Sequence, residues 1–284
     1  MKRLVGLLLV ATACAPELDD RSYLVDAPRV LTLLADPPEA RPSQPVELRP
    51  VATESLRGAF SLRFCTRQRP LADPRPLAES CLEEAGIILD ASRASARGTI
   101  PSDACARFGP DPSGGDVRPT DPDETGGFYQ PIVLEALGAL SVARVRIKCR
   151  LPDAPTDLAR ALDAAYELNE NPTIAGLAAS GPIHAGEPTT LTVTLGEDAR
   201  EPYVWLPPDG ERIESRREGF QVTWFTSAGT LASSATGRDE ADPALTSSNT
   251  LTLAAGTTAA TVWVVVQDTR GATATTSLEL EVAR

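Results

Sequence analysis

The segment TVWVVVQDTRGATATTSLELEV, residues 261–282, decides the fold. Its first part, residues 262–266, is apolar without interruption, which predicts a strand buried on both faces at the centre of a sheet. In its last part, apolar residues alternate with glutamates from Leu278 to Val282, which predicts a strand with one buried and one solvent-facing side. Turn-forming residues 268–271 separate the two. The segment therefore predicts two consecutive antiparallel strands of a β-sandwich.

The same pattern extends over residues 172–284. Leu191, Val193 and Leu195 alternate with threonines, so this strand also has one buried face. We expect Trp224 and Trp263 in the core, because both lie within strands. The further predicted strands of this domain cover residues 174–178, 190–195, 220–226 and 250–253.

The first half, residues 27–150, is predicted to be a second β-sandwich domain, with strands at 30–35, 46–52, 60–65, 86–89, 132–134 and 142–149. Between residues 108 and 127 the chain is rich in Gly, Pro, Asp, Ser and Thr, which predicts a long loop. The carboxylates of this loop could hold calcium through oxygen ligands. Their spacing matches no EF-hand and prolines stiffen the backbone, so a solvated loop is the favoured interpretation for Asp111, Asp116, Asp121, Asp123 and Glu124.

In residues 156–169 the apolar side chains recur with the period of an α-helix. Leu158, Leu162, Ala165 and Tyr166 fall on one side of a helix, and Asn169 with the following proline can end it. We predict a short amphipathic helix in a linker at residues 151–171. Its apolar stripe would pack against one β half and set the relative orientation of the two.

The N-terminus has the pattern of a secretory signal, because Lys2 and Arg3 precede an apolar run, residues 4–13. This run is too short for a membrane-spanning helix, which needs roughly 20 residues. The run ends in Ala11-Thr12-Ala13-Cys14, which resembles the lipobox of bacterial lipoproteins, with Ala11 where that family prefers leucine. The resemblance implies a signal peptide at residues 1–13, a diacylglycerol on Cys14 and a lipidated tether at residues 14–26.

Ala15 is the residue that bears on which membrane the lipoprotein is sorted to. It follows the cysteine in place of aspartate, which implies the outer membrane by the enteric sorting rule. The expected location is therefore the cell envelope, with the chain lipid-anchored at the outer membrane.

The four later cysteines predict two disulfides, because an even number occurs in a chain that is expected to be exported. The single histidine and the absence of a C-x-x-C pair disfavour zinc. Three connectivities are open. The apolar residues of strand 60–65 leave Cys65 on the opposite face, whereas Cys149 shares the apolar face of its strand. This disfavours Cys65–Cys149 and favours Cys65–Cys81 with Cys105–Cys149.

The layout of residues 172–284 resembles the immunoglobulin-like and PKD-like modules repeated in bacterial surface proteins. The resemblance rests on AGE at 185–187, VTWF at 222–225 and VVVQD at 264–268. The entry of the first half, residues 36–48, is similar to the start of another such module. These resemblances imply an all-β chain of two immunoglobulin-like β-sandwich domains joined by a short helix-containing linker. Surface lipoproteins of GC-rich Gram-negative bacteria are similar in this respect.

Composition and motifs argue against catalysis and against nucleic-acid binding. The net charge is −12, and Lys148 is the only lysine after residue 14, whereas phosphate backbones need clustered cations. The sequence contains no nucleophile elbow, zincin helix or phosphate-binding loop. The only histidine, His184, lies in a predicted loop with no orienting partner in sequence. We predict no enzyme, no cofactor and no metal site; a remote carboxylate pair of the glycosidase kind stays open as the alternative.

Tyr203 and Trp205 are the candidate binding residues, because prolines flank them between two predicted strands. On a loop they could stack on a sugar or fill a pocket of a protein partner. The alternative is that they cover an open end of the sandwich. The sequence thus predicts a membrane-anchored binding or adhesion module for an envelope protein or polysaccharide. The alternative function is a structural spacer of the cell envelope without a specific ligand.

Overall fold

The computed structural model describes residues 21–68, 78–83, 86–92, 94–110, 122–151, 154–207 and 211–283. The predicted signal peptide, Cys14 and three of the loop carboxylates (Asp111, Asp116 and Asp121) lie outside these ranges. Buried apolar side chains form two separate clusters, one within residues 40–149 and one within residues 183–280 that also takes in Tyr23. Strands make up most of the regular structure, and the predicted all-β fold is confirmed.

The N-terminal half is a sandwich of two sheets. Its elements are β1 (Val30–Asp36), β2 (Glu39–Ala40), β3 (Pro45–Ala52), β4 (Phe60–Phe64), α1 (Ser80–Glu83), β5 (Ile87–Ile88), β6 (Asp90–Ala91), β7 (Ala96–Thr99), α2 (Ala104–Phe108), β8 (Phe128–Ala136) and β9 (Ala139–Ile147). One sheet has the order β1-β3-β7-β6 and the other the order β2-β9-β8-β4-β5. Apolar side chains from both sheets, such as Leu48 and Ile132, fill the space between them because each strand turns alternate residues inward.

The C-terminal half is the second sandwich. Its elements are β10 (Ile174–Ala179), β11 (Pro188–Leu195), β12 (Pro202–Trp205), β13 (Glu214–Arg217), β14 (Phe220–Thr226), β15 (Thr230–Leu231), β16 (Ala235–Arg238), β17 (Thr246–Thr252), β18 (Ala259–Asp268) and β19 (Thr273–Glu281). The facing sheets are β10-β11-β17-β15 and β16-β14-β18-β19, and β12 pairs with β13 in a separate two-stranded ribbon.

Strand β18 lies between β14 and β19, which confirms the central position expected for residues 262–266. Trp224 is completely buried, as expected. The core position expected for Trp263 is wrong, because this side chain is half-buried on the outer face of the sheet. Its neighbours Val262 and Val264 take the inward positions, and side chains alternate along a strand.

Helix α3 (Thr156–Ala165) connects the two sandwiches. It starts where the sequence predicts, and Leu162 is its buried residue. It ends before Asn169, the predicted end, because the backbone becomes extended at Tyr166. This early end has a structural consequence, since the extended segment carries Tyr166 and Asn169 into the contact between the sandwiches.

Residues 21–26 do not form the free tether that the sequence predicted but pack on the C-terminal sandwich. Tyr23 is buried in the C-terminal core, and its carbonyl accepts a hydrogen bond of 3.0 Å from the Thr226 amide. The amide of Val25 donates to the Thr226 carbonyl at 2.8 Å. This part of the chain therefore belongs to the C-terminal sandwich before the backbone enters β1.

The disulfides are Cys65–Cys81 and Cys105–Cys149, with Cα–Cα distances of 5.3 and 5.6 Å. This is the connectivity that the sequence favoured. Cys149 follows β9, so the second bridge joins the end of that strand to α2. Within the described residues, no helix is both long and apolar enough to cross a membrane.

Candidate functional site

A buried ion pair lies where the two sandwiches meet. The Nε of Arg146 on β9 lies 3.2 Å from Oε1 of Glu39 on β2, and the side chains are only 3% and 1% exposed. The sequence alternation of β9 placed Arg146 on a wet face with Arg144 and Lys148. It is buried because α3 and the C-terminal sandwich cover this part of the strand. No local pattern signals the pair, whose residues are 107 positions apart.

Asp123 and Thr125 hold the other end of the Arg146 guanidinium. Nη1 of Arg146 lies 3.2 Å from Oδ2 of Asp123 and 2.6 Å from Oγ1 of Thr125. Asp123 also accepts hydrogen bonds from the Tyr129 hydroxyl and from the Thr125 and Gly127 amides. The interpretation of Asp123 as a solvated loop carboxylate is therefore wrong, since protein donors satisfy it.

Glu39 links this cluster to the segment after α3. Its carboxylate accepts hydrogen bonds from the Tyr166 hydroxyl at 2.8 and 2.9 Å and from the Asn169 amide N–H at 2.9 Å. The Asn169 side chain then donates to both oxygens of Asp268 at 3.2 Å. Two sheets of different sandwiches are thus joined through one asparagine.

Arg270 forms the C-terminal part of the same cluster. It lies in the β18–β19 turn, as the sequence predicted, yet its side chain is buried. Its Nε lies 2.6 Å from Oε1 of Glu218 and its Nη2 lies 2.7 Å from Oε2 of Glu201. Its Nη1 donates at 3.0 Å to the carbonyl of Glu167 in the linker.

The pKa values of the acidic groups of this junction are shifted in opposite directions, by burial at two of them and by a neighbouring cation and hydrogen bonds at the third. Burial raises the pKa of Asp268 to about 7, and the nearby Glu218 carboxylate acts in the same sense. Burial also raises the pKa of Glu218. Burial by itself would also raise the pKa of Asp123. The Arg146 cation and the hydrogen bonds from Tyr129 and Thr125 outweigh this effect, so the pKa of Asp123 lies below its usual range.

Every charged group named above is engaged by another protein group, which is what a structural junction requires. Such a cluster fixes the relative orientation of the sandwiches and offers no free nucleophile. Within the described ranges, no group of three or more His, Cys, Asp or Glu side chains could hold a metal ion. His184 is exposed in the loop between β10 and β11, the loop position that the sequence predicted.

The structure does not present Tyr203 and Trp205 as an exposed pair. Both belong to strand β12, so the expected loop is wrong. Tyr203 is buried and its hydroxyl donates to Glu240 at 2.8 Å. Trp205 is half-buried, its indole ring stacks against the Arg216 guanidinium at 3.8 Å, and it borders the junction beside Tyr166. A contact role for Trp205 stays a prediction.

An apolar patch on the outer face of the β2-β9-β8-β4-β5 sheet is a second candidate, which no sequence pattern indicated. We define it by Ile88, Leu140 and Val142, which are 71%, 50% and 55% exposed. Ile88 on β5 pairs with Arg63 on β4, and Val133 on β8 lies between Arg63 and Val142 on β9. These residues therefore form one row across the sheet. Ile88 and Leu140 line one shallow depression of about 410 Å³ together with Arg63 and Glu135. By alternation Leu140 and Val142 lie on the face of β9 that carries Arg144, opposite the predicted apolar face of Val145 and Ile147.

No protein-family model matches the sequence, and no curated protein matches it significantly. Among solved structures it is similar to the Yersinia pseudotuberculosis adhesin InvE, with 12% identity, a TM-score of 0.25 and coverage of 88% of this chain and 58% of that chain. It is also similar to fibronectin(III)-like modules of Clostridium thermocellum CbhA (10% identity, TM-score 0.26, 90% and 94% covered). A third is invasin, a bacterial integrin-binding protein (16%, 0.24, 89% and 39%).

The chain therefore spans less than two thirds of the length of InvE and of invasin. TM-scores this low establish neither a shared family nor a shared function. The assignment of the sandwiches rests on the strand pairings alone.

Proposed function

We propose that this chain is a lipid-anchored extracytoplasmic lipoprotein of the cell envelope, attached to the outer membrane through Cys14, whose two sandwich domains form a rigid module that binds another protein. The proposed domains are a signal peptide at 1–13, a tether from 14, sandwiches at 27–150 and 172–284, and a linker at 151–171. The observation that carries the binding function is the apolar patch of Ile88, Leu140 and Val142. Exposed large aliphatic side chains gathered on one sheet face are typical of interaction sites.

The composition of the patch favours a protein partner over a polysaccharide. Sugar rings are recognised by stacking on aromatic side chains, and the patch consists of aliphatic groups bordered by Arg63 and Glu135. An apolar centre with a charged border is the usual arrangement of a protein–protein contact. The patch also lies on regular strands, which present it without a large ordering cost on binding.

The alternative function, an envelope spacer without a specific ligand, is supported by the buried junction. The two sandwiches are tied into one body by the hydrogen bond of Arg146 to the Arg270 carbonyl, at 3.5 Å, and by the bonds of Asn169 to Glu39 and Asp268. A spacer needs this stiffness and needs no exposed contact surface. The two proposals therefore differ in whether the patch has a partner.

A binding experiment separates them. The purified Cys14→Ser chain, immobilised, is exposed to solubilised envelope protein, and the captured partner is then measured against the Leu140→Lys variant. Thr190→Lys is the matched control, because Thr190 is an exposed strand residue of the other sandwich. We expect Leu140→Lys to weaken binding at least tenfold and Thr190→Lys to leave it unchanged. Equal binding by both variants, or no saturable binding at all, contradicts the binding function and leaves the spacer.

A further inference from the structure

We infer that the end of the C-terminal sandwich at Thr226 faces the lipid surface, and that residues 21–25 act as a clasp that holds it there. This inference rests on the proposed lipid at Cys14. It adds to that function an orientation of the molecule and a second interaction surface, the lipid headgroups.

The clasp is built from contacts on both sides of Thr226. Tyr23 inserts into the C-terminal core, and the amide and carbonyl of Thr226 pair with Tyr23 and Val25. A turn closed by the Leu24 amide on the Arg21 carbonyl, at 2.8 Å, keeps Arg21 next to this site. The chain that leads to Cys14 therefore departs from the C-terminal sandwich and not from β1.

The distance to the lipid follows from chain length. Seven residue steps separate Arg21 from Cys14. A fully extended backbone spans about 3.4 Å per residue, so Arg21 lies at most about 24 Å from the lipidated residue. Without the clasp the free chain would run to β1, and the C-terminal sandwich would have no fixed relation to the membrane.

The distribution of charge distinguishes the two ends of this sandwich. The loops beside Thr226, residues 227–229 and 253–258, contain no charged residue, although Asp26, Glu187 and Glu281 border them. The loops at the opposite end, residues 196–201 and 239–245, carry Arg200 and six carboxylates, of which Glu201 pairs with Arg270 and Asp242 with Arg238; the other four are Glu197, Asp198, Asp239 and Glu240. Anionic headgroups repel the second set far more than the first. The Thr226 end is thus the one that tolerates close approach to lipid.

Site-specific quenching tests this orientation. Single cysteines are introduced as Ala255→Cys in the uncharged loop and Ala241→Cys in the acidic loop. Both alanines are exposed, so the pair is matched. Each lipidated protein is labelled with a fluorophore and bound to vesicles of phosphatidylethanolamine and phosphatidylglycerol that contain a headgroup-attached nitroxide quencher. We expect quenching at residue 255 to be at least twice that at residue 241.

Two further variants test the clasp itself. Tyr23→Ala, and a flexible Gly/Ser insertion of about 20 residues after Asp20, should both reduce the ratio toward one while the protein still floats with the vesicles. The insertion keeps the core intact and adds roughly 25 Å of mean reach, so it remains informative if Tyr23→Ala does not fold. A protein that floats with equal quenching at the two positions, or with more at residue 241, overturns the orientation. A protein that does not float contradicts the lipid anchor, and the inference falls with it.

Discussion

The side-chain amide of Asn169 donates to both carboxylate oxygens of Asp268 at 3.2 Å, while its backbone N–H donates to Glu39 of the other sandwich at 2.9 Å. One linker residue therefore connects acidic groups of both halves. Asn169→Ala removes the bonds to Asp268 and leaves a buried carboxylate with fewer donors. We expect a loss of about 1–3 kcal/mol in the free energy of unfolding, measured by urea denaturation. An unchanged midpoint would show that this link contributes nothing.

The Arg146–Glu39 pair should show strong coupling. Arg146→Met leaves the buried Glu39 and the half-buried Asp123 without their cation, and we expect it to destabilise the protein by roughly 3–5 kcal/mol. The double variant Arg146→Met/Glu39→Met should lose clearly less than the two single losses combined. Arg97→Met is the control, because the Arg97–Glu47 pair is largely exposed and such pairs contribute roughly 0–1 kcal/mol. Additive losses in the junction would argue against a coupled pair.

Stability should fall as the pH rises from 5 to 8. The folded-state pKa of Asp268 is about 7, above its ordinary value of 3.8, and that of Glu218 is also raised. A raised folded pKa means that the folded protein holds the proton more tightly, so this contribution is complete below the unfolded pKa and is lost as the pH rises through 7. The lowered pKa of Asp123 acts only at more acidic pH.

Thermal melts at pH 5 and pH 8 measure this dependence. We expect the free energy of unfolding to drop by about 2 kcal/mol over this interval, and Asp268→Asn to remove most of the drop. If wild type and Asp268→Asn keep the same pH dependence, Asp268 is not the titrating group.

The two disulfides should contribute unequally. Cys105–Cys149 closes a loop with a sequence separation of 44 and Cys65–Cys81 one of 16. In the chain-entropy model these loops correspond to about 4 and about 3 kcal/mol. Denaturation of Cys105→Ala/Cys149→Ala and of Cys65→Ala/Cys81→Ala measures both. The reverse order would show that native contacts, and not loop length, decide the effect.

Trp205→Ala distinguishes a contact residue from a cover of the junction. Because the ring is half-buried between Arg216 and the junction, we expect a loss of roughly 2–3 kcal/mol in stability, below the 3–5 kcal/mol of a fully buried tryptophan. Arg216→Ala should lose only about 0.5–1 kcal/mol, the contribution of the stacked cation. A normal melting temperature together with a large loss of partner affinity would restore Trp205 as a binding residue.

Period-two patterns predicted the strands well where one face meets the core, as in β11 and β19. The same rule failed for Arg146, because α3 and the C-terminal sandwich cover this part of β9 and local sequence does not encode that contact. For Trp263 the continuous apolar run predicted burial on both faces of β18, whereas this outer face is partly open to solvent. Arg146 is polar and buried, and Trp263 is apolar and half-exposed. The prolines around Tyr203 predicted a loop, but Tyr203 lies in β12, which pairs with β13. The sequence of β13, Glu214–Arg217, is polar throughout and gives no alternating pattern that would indicate a strand.

The junction could not be predicted for the same physical reason. The bonds that Asn169 makes to the two halves join residues far apart in sequence, 99 positions for Asp268 and 130 for Glu39. The alternation and spacing of apolar residues indicate which side chains share a face of one helix or strand, and not which elements meet in the fold. For the cysteines, the sequence argument from Cys65 and Cys149 disfavoured one of three connectivities and favoured the one that the structure contains.

The lipid anchor supports most of what is proposed for this chain, since both the location and the orientation of the molecule at the membrane depend on it. Mass spectrometry of the N-terminal peptide of the protein purified from membranes tests it most directly. We predict that the mature chain begins at Cys14 and carries a thioether-linked diacylglycerol, and that Cys14→Ser moves the protein out of the membrane fraction. A chain that begins elsewhere, or that carries a free thiol at Cys14 and remains in the membrane after Cys14→Ser, would contradict the account.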